Sequence, residues 1–313
     1  MHIVRYIVER LVQAIPVLFG VTVFVFLSVH FVPGDPIRIM MHGRIADEDV
    51  AAIYTKLGMD RPLLLQYVSY VGNALIGDLG TSLIQNAPVS RLVFEKLWPT
   101  LMLLGVSALI SIFLALPLAL LSAFYRSRWI DHLIRIASMV GFAMPSFWVG
   151  LLLMVLFGLW LGWFPISGFG STAGDRLYHL FLPSLTIALF LTPILIQSLR
   201  SSMLDVLTAE YIEVARAKGL SEWRILTKHV LRNALIPVIT VLAVNISWLI
   251  SGAVVVEYVF SLPGLGSLLV RSVGYRDYPL IQGLSLVFAV LVVLVNLAAD
   301  LSYMVVDRRV LKA

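Results

Sequence analysis

Six stretches of this chain run without a single Asp, Glu, Lys or Arg. They are Leu11–Val32, Pro99–Tyr125, Ile136–Gly174, Leu177–Leu199, Asn233–Val256 and Tyr278–Ala299. A helix needs about 20 mostly apolar residues to traverse about 30 Å of hydrocarbon, so each stretch can cross a bilayer. The third is too long for one crossing. Its end, Phe164-Pro165-Ile166-Ser167-Gly168-Phe169-Gly170-Ser171, reads as loop because Pro and Gly interrupt helix, which trims the span to Ile136–Trp163. Composition agrees: 13% of residues are charged and 60% apolar, with mean hydropathy +0.95. A soluble domain carries about a quarter charged residues. This chain has too little polar surface to coat a globule. Period-two alternation at barrel spacing is absent. The expected fold class is all-α membrane protein with six transmembrane helices.

Arg5 and Arg10 precede the first apolar run in the manner of a signal peptide, but no small-residue cleavage site follows, so the run is read as an uncleaved first span. The net charge of +5 does not point to nucleic acid, because the cations flank apolar runs. Cytoplasmic loops of membrane proteins are enriched in Lys and Arg. Placing the N-terminus inside puts fourteen of the 23 Lys and Arg residues on the cytoplasmic side, and only three on the two short outer loops. Both termini are therefore expected in the cytoplasm. The organisation expected is residues 1–32 as N-terminal segment and first helix, 33–98 as an outer segment with short packed helices, and 99–313 as a five-helix core. The absence of cysteine excludes disulfides, thiolate metal sites and cysteine nucleophiles.

The cytoplasmic segment of about residues 205–232 is the most informative. Thr208-Ala209-Glu210 is expected to open a helix, with Thr208 as cap and Glu210 in the first turn. Gly219 is expected to stop it. Ser221 would cap a second helix with Glu222 in its first turn. That helix would set Trp223, Leu226, Val230 and Leu231 on one face and Arg224, Lys228 and Arg232 on another. The result is helix, sharp turn, helix. Composition alone fits an amphipathic hairpin on anionic headgroups equally well.

The run Glu213-Val214-Ala215, three residues, then Gly219 resembles the EAA-x3-G signature of permease subunits of binding-protein-dependent ABC importers. Residues Glu210 to Ser221 and His229 to Pro237 are similar to the dipeptide, oligopeptide and nickel branch, dipeptide and glutathione permeases included. So are Pro33-Gly34-Asp35-Pro36, Leu57-Gly58-Met59-Asp60-Arg61-Pro62, Gly77-Asp78-Leu79-Gly80-Thr81-Ser82, Met144-Pro145-Ser146-Phe147-Trp148, Arg200-Ser201-Ser202-Met203, Phe260 to Gly266 and Arg276-Asp277-Tyr278-Pro279. The ordered set covers nearly the whole chain. Val214 departs from the signature's middle alanine, and the proline after the loop comes late, at Pro237.

The resemblance implies a type I ABC importer permease fold in the bacterial inner membrane. It implies a second homologous permease subunit, two ATP-binding subunits and a periplasmic or lipid-anchored substrate-binding protein, with peptides or similar small solutes as cargo. It assigns ATPase coupling to Glu213, Val214, Ala215, Arg216, Ala217, Lys218, Gly219, Leu220 and Ser221. Glu213, Arg216 and Lys218 would make the polar contacts and Gly219 the tight turn. No Walker phosphate loop occurs, so no catalytic residue is expected here and the ATP-hydrolysing sites fall to partners.

The remaining polar residues carry weaker signals. Gln197, Asn245, Asn296 and Asp300 lie in or near apolar runs, where interhelical hydrogen bonding is the expected role. The six histidines have no metal-binding spacing, and neither metal nor cofactor is expected. Gly158 and Gly162 form a G-x3-G that could seat a neighbouring helix. Pro16, Pro117, Pro145 and Pro193 fall inside expected spans, as kinks or tolerated breaks. An ion-coupled carrier remains an alternative, but the spans hold almost none of the ionisable residues such carriers use. An intramembrane protease would need a nucleophile or zinc motif, and none is present.

Overall fold

The computed structural model describes residues 2–31, 55, 60–82 and 84–306. Pro33-Gly34-Asp35-Pro36, Leu57-Gly58-Met59 and the basic residues Arg308, Arg309 and Lys312 lie outside the described residues. Helix α1 covers His2–Phe31 and α2 Leu63–Leu75. A two-stranded antiparallel hairpin follows, β1 (Thr81–Ser82) and β2 (Ala87–Pro88), with Thr81 opposite Pro88 and Ser82 opposite Ala87. Then come α3 (Val89–Phe124), α4 (Trp129–Ala143) and α5 (Ser146–Leu153), which continues into a wide π-helical turn over Met154–Trp160. Helix α6 covers Ala173–Leu207, α7 Glu210–Ala217 and α8 Glu222–Arg224, followed by a π-helical turn over Ile225–Val230. The chain closes with α9 (Leu231–Val259), α10 (Leu265–Tyr275) and α11 (Tyr278–Val306).

Four described helices are by themselves long and apolar enough to cross a bilayer: Tyr6–Ser28 within α1, then α3, α6, and Tyr278–Ser302 within α11. The expected span Asn233–Val256 falls within the 29-residue helix α9. The expected span Ile136–Trp163 is not one straight helix. It is a bent pair, α4 and α5 with its π turn, turning through 104° at Met144-Pro145. Pro145 has no N–H to continue α4, and its ring drives Met144 to extended φ −82° and ψ 137°. Pro145 is thus a helix start, whereas Pro16, Pro117 and Pro193 sit inside continuous helices.

Further details come from the structure alone. Helix α3 extends the expected span Pro99–Tyr125 back to Val89, and Arg91 and Glu95 pair one turn apart (2.9 Å) on the exposed side of that extension. The stretch after Pro263-Gly264 forms helix α10. Gly158 and Gly162 do not form a helix-packing motif. A Cβ on Gly158 would lie 2.2 Å from Ile166 Cγ2, so its smallness admits the loop, and Gly162 ends the turn at φ +64°.

The chain folds as two compact units. One comprises described residues of Met1–Thr100 and Pro263–Val293. Its core joins Val89, Leu92 and Val93 of α3 to Leu265 and Leu268 of α10 and Leu280 and Leu284 of α11. Two sequence motifs converge there. Ser82 Oγ donates to the Asp277 carboxylate, both side chains being buried, and Gly80 packs on Pro279. Thr100 Oγ1 accepts from the Leu265 N–H at 2.9 Å, satisfying an orphan donor at the α10 N-terminus.

The other unit comprises Leu101–Leu262 and described residues from Leu294 onward. Helix α6 is its spine, with buried Leu191, Leu195, Leu199 and Met203 at helical spacing. Helix α4 runs antiparallel to it: Asp131 meets Arg200, while Phe142 stacks on Phe190 at 4.9 Å between centroids. Gly150 of α5 admits Phe260 and Thr186, whose nearest atoms would sit 3.1 and 3.4 Å from a Cβ there. Ser247 Oγ donates to Asn296 Oδ1 at 2.8 Å, an interhelical bond between α9 and α11. Asn245 instead donates to the carbonyl of Val241 on its own helix.

Candidate functional site

Helix α6 ends in a connected elbow, α7 and α8. Thr208 is not the cap of α7. It has turned helical, φ −88° and ψ −2°, and its hydroxyl donates to the Asp205 carbonyl, so it closes α6. Ala209 takes the extended entry conformation, and Glu210 and Glu213 occupy the first turn of α7, where they complement the helix dipole. Ile212 and Ala215 are the buried side of this short helix. They anchor it by one narrow stripe.

Gly219 ends α7 with φ +76°. Its N–H donates to the Arg216 carbonyl at 2.9 Å, and the Leu220 N–H reaches back to Ala215 at 3.3 Å. That pair of bonds is the Schellman closure, which needs a left-handed residue at the position Gly219 holds. Ser221 then opens α8 from an extended conformation, though its hydroxyl makes no cap bond.

Of the nine residues singled out from sequence, Glu213, Val214, Arg216, Ala217, Lys218, Gly219 and Ser221 are exposed. Leu220 is half-buried, and Ala215 is buried. Arg216 is not a free cation at the tip. Its Nε and Nη2 donate to the two carboxylate oxygens of Glu222, at 2.7 and 3.3 Å, clamping α7 to α8 across the turn. This bond is the larger cause holding the Glu222 carboxyl below its usual range and raising the Arg216 guanidinium. Apolar groups stand out beside the clamp: Val214 is 54% exposed and Trp223 48%. Trp223 still braces the elbow, edge-on against Phe124 at the end of α3, 5.5 Å between centroids. Ile225, Leu226 and Val230 of the following π turn are buried. Asn233 donates to the Tyr211 hydroxyl at 2.8 Å, tying α7 to α9.

A second cluster, absent from the sequence reading, lies two turns below. Asp131 is 1% exposed. It receives Nε and Nη2 of Arg200 at 2.8 and 2.7 Å, the Ser122 hydroxyl at 2.6 Å and the Ser127 N–H at 3.1 Å. One carboxylate thus joins α3, the following turn, α4 and α6. Its one available sequence signal was its being the sole acid between Arg126 and Arg135. Among the described residues no group of three or more His, Asp or Glu is placed to hold a metal ion.

Four bilayer-length helices, a bent apolar pair and one stiffened, exposed elbow define a multi-helix membrane protein. The comparisons make the class specific. Residues 115–312 match the model of the binding-protein-dependent transport system inner membrane component, and residues 3–104 match the N-terminal model of the same transport-system membrane components. An oligopeptide transport system permease protein, AppB of Bacillus subtilis, is 42% identical over 311 residues, covering 97% of this chain and 98% of the relative. The glutathione transport system permease protein GsiC of Salmonella paratyphi A is 39% identical over 303 residues, with 97% of each chain covered. Among solved structures, an inward-facing MetNI methionine ABC transporter matches with TM-score 0.58 at 19% identity, covering 69% of this chain and 97% of that one. The chain belongs to the family of binding-protein-dependent transport system inner membrane components. It is a multi-pass permease subunit of an ABC importer.

Proposed function

We propose that this chain forms half of the translocation pathway of an ATP-driven importer for di- or oligopeptides, or for a peptide-like solute such as glutathione. A second homologous permease completes the pathway, two ATP-binding subunits sit on the cytoplasmic side, and a periplasmic or lipid-anchored binding protein delivers cargo. Both termini face the cytoplasm, the arrangement that the Lys and Arg distribution favours. The cargo class rests on the relatives named for oligopeptides and glutathione.

The observation that carries the coupling role is the elbow's build. A helix of eight residues is too short to hold its shape alone. The Schellman turn at Gly219, the Arg216–Glu222 clamp and Trp223 on Phe124 stiffen it, yet its outer side remains open to a partner. A stiff element transmits displacement where a loose loop would absorb it. Closure of an ATPase pair would push α7 and α8 and, through the continuous chain, α6 and α9. Val214, Lys218 and Ser221 provide the exposed contacts, and Arg216 holds the elbow's angle.

Gly219→Glu tests this. The variant is expected to insert normally and to lose both uptake and substrate-stimulated ATP hydrolysis in the reconstituted complex. Wild-type coupled hydrolysis by a correctly inserted Gly219→Glu complex would overturn the role.

A further inference from the structure

The face shared by α4 and α6 encloses a pocket of about 330 Å³ that the coupling role does not use. Its polar lining is Arg135 and Ser138 from α4 and Gln197, Arg200 and Ser201 from α6. Its apolar lining includes Phe142 from α4 and Pro193 and Ile194 from α6. These two sets are segregated. Arg135 precedes Phe142 by seven residues, about 10 Å along a helix, and Arg200 follows Pro193 by the same distance. The helices are antiparallel, with Asp131 against Arg200 at one end and Phe142 on Phe190 at the other. The two guanidinium groups therefore gather at the elbow end of the pocket, and the apolar wall continues toward the middle of the bundle.

The charge balance favours an anion. Asp131 already takes Nε and Nη2 of Arg200 and is itself buried behind it, leaving Nη1 without a partner among the described residues. Arg135 is exposed. The Ser138 hydroxyl donates to the Ile134 carbonyl at 2.7 Å, so its oxygen keeps only acceptor capacity, and the donors left for a ligand are Arg135, Arg200, the Gln197 amide and the Ser201 hydroxyl. A cationic mouth above an apolar wall, at the end of helices that leave the membrane, matches one ligand chemistry in both halves. A phosphate headgroup would sit at the mouth with an acyl chain along the wall. Basic pockets between transmembrane helices take anionic headgroups in this way.

We propose that the α4–α6 pocket binds an anionic phospholipid, its phosphate held by Arg135, Arg200 and Gln197 and its chain lying on Phe142, Pro193 and Ile194. The lipid would fill the space between two helices that otherwise meet through the Asp131–Arg200 pair at one end and the Phe142–Phe190 stack at the other. It would thus link membrane composition to the stretch of α6 that leads into the elbow.

The test is native mass spectrometry of the purified importer complex, titrated in detergent with phosphatidylglycerol or with phosphatidylcholine of the same chains. The wild type is expected to retain at least one phosphatidylglycerol at several-fold lower lipid concentration than phosphatidylcholine. Arg135→Gln, which leaves the buried Asp131–Arg200 pair intact, is expected to erase most of that preference. Phe142→Ser is expected to weaken retention of both lipids. Equal retention of the two lipids by the wild type, or an unchanged preference in Arg135→Gln, would overturn the proposal. So would full competition by sn-glycerol 3-phosphate, since a headgroup without chains would then suffice. Competition by a tripeptide that Arg135→Gln abolishes would assign the pocket to the solute instead. None of these readouts depends on ATP hydrolysis, so they stand apart from the coupling role.

Discussion

Replacing Asp131 with alanine removes a single carboxylate from the centre of the second unit. The change strands Arg200, Ser122 Oγ and the Ser127 N–H, which together direct four hydrogen bonds at that group. Breaking a buried ion pair from one side costs about 3–5 kcal/mol, because the remaining charge is left uncompensated. The Arg200 side chain keeps 20% of its exposure, so water recovers part of that loss and the expectation is the lower end, about 3 kcal/mol. Asp131→Asn keeps the size and one accepting oxygen, but it loses the charge and sets its amide nitrogen against two donors, so it should cost about as much. The double variant Asp131→Ala with Arg200→Met removes the orphaned cation and should recover about 1–2 kcal/mol of the single loss. Thermal unfolding of the solubilised complex, followed by tryptophan fluorescence, measures all four states of the cycle. Additive single effects, with no recovery in the double variant, would refute the idea that this carboxylate holds α3, α4 and α6 together as one network.

Other perturbations separate local from global effects. Gly219→Ala meets open space at its Cβ but must adopt φ +76°, so it should cost about 1–2 kcal/mol in elbow stability, and Gly219→Asn less, read as protease sensitivity of the elbow. Gly158→Ala has the opposite problem, a Cβ 2.2 Å from Ile166 Cγ2, and should loosen the Phe164–Ser171 loop to proteolysis at a cost of about 1–3 kcal/mol. The Glu222 carboxyl is held below its ordinary value of 4.5 in the folded elbow. Its contribution is therefore complete above pH 4.5 and fades as pH falls through the lowered value. Both partners are about half exposed, so the effect stays under about 1 kcal/mol. Glu222→Gln should flatten the acid limb of elbow protection measured by hydrogen exchange.

The large features were legible because they rest on one-dimensional physics. Charge-free runs long enough for a bilayer mark the spans, and a glycine past an amphipathic stretch marks the end of α7 at φ +76°. What stayed hidden depends on the third dimension. Asp131 and Arg200 are 69 positions apart and flank apolar runs, so each reads separately as an interfacial charge. Pro145 was visible, but sequence alone does not say whether a proline kinks a helix or starts a new one. The 104° turn there shows that it starts one. Thr208 had the chemistry of an N-cap, yet α6 ran one residue past its last hydrophobic position and took it as a terminus. The Arg216–Glu222 clamp was hidden because the acceptor lies across a turn the sequence cannot draw. The converging motifs of the first unit, Ser82 with Asp277, are likewise 195 positions apart.

The most direct test of the account uses the chain's lack of native cysteine. Ser221→Cys or Val214→Cys places a single thiol on the elbow's exposed side, and Arg91→Cys serves as a control on α3. A photoreactive crosslinker on each thiol is activated in membranes containing the assembled importer. Both elbow positions are expected to yield an adduct with the ATP-binding partner, strengthened or weakened by a nucleotide trap, and the control none. Active uptake by a complex in which neither elbow position ever reaches a nucleotide-binding subunit would contradict the account.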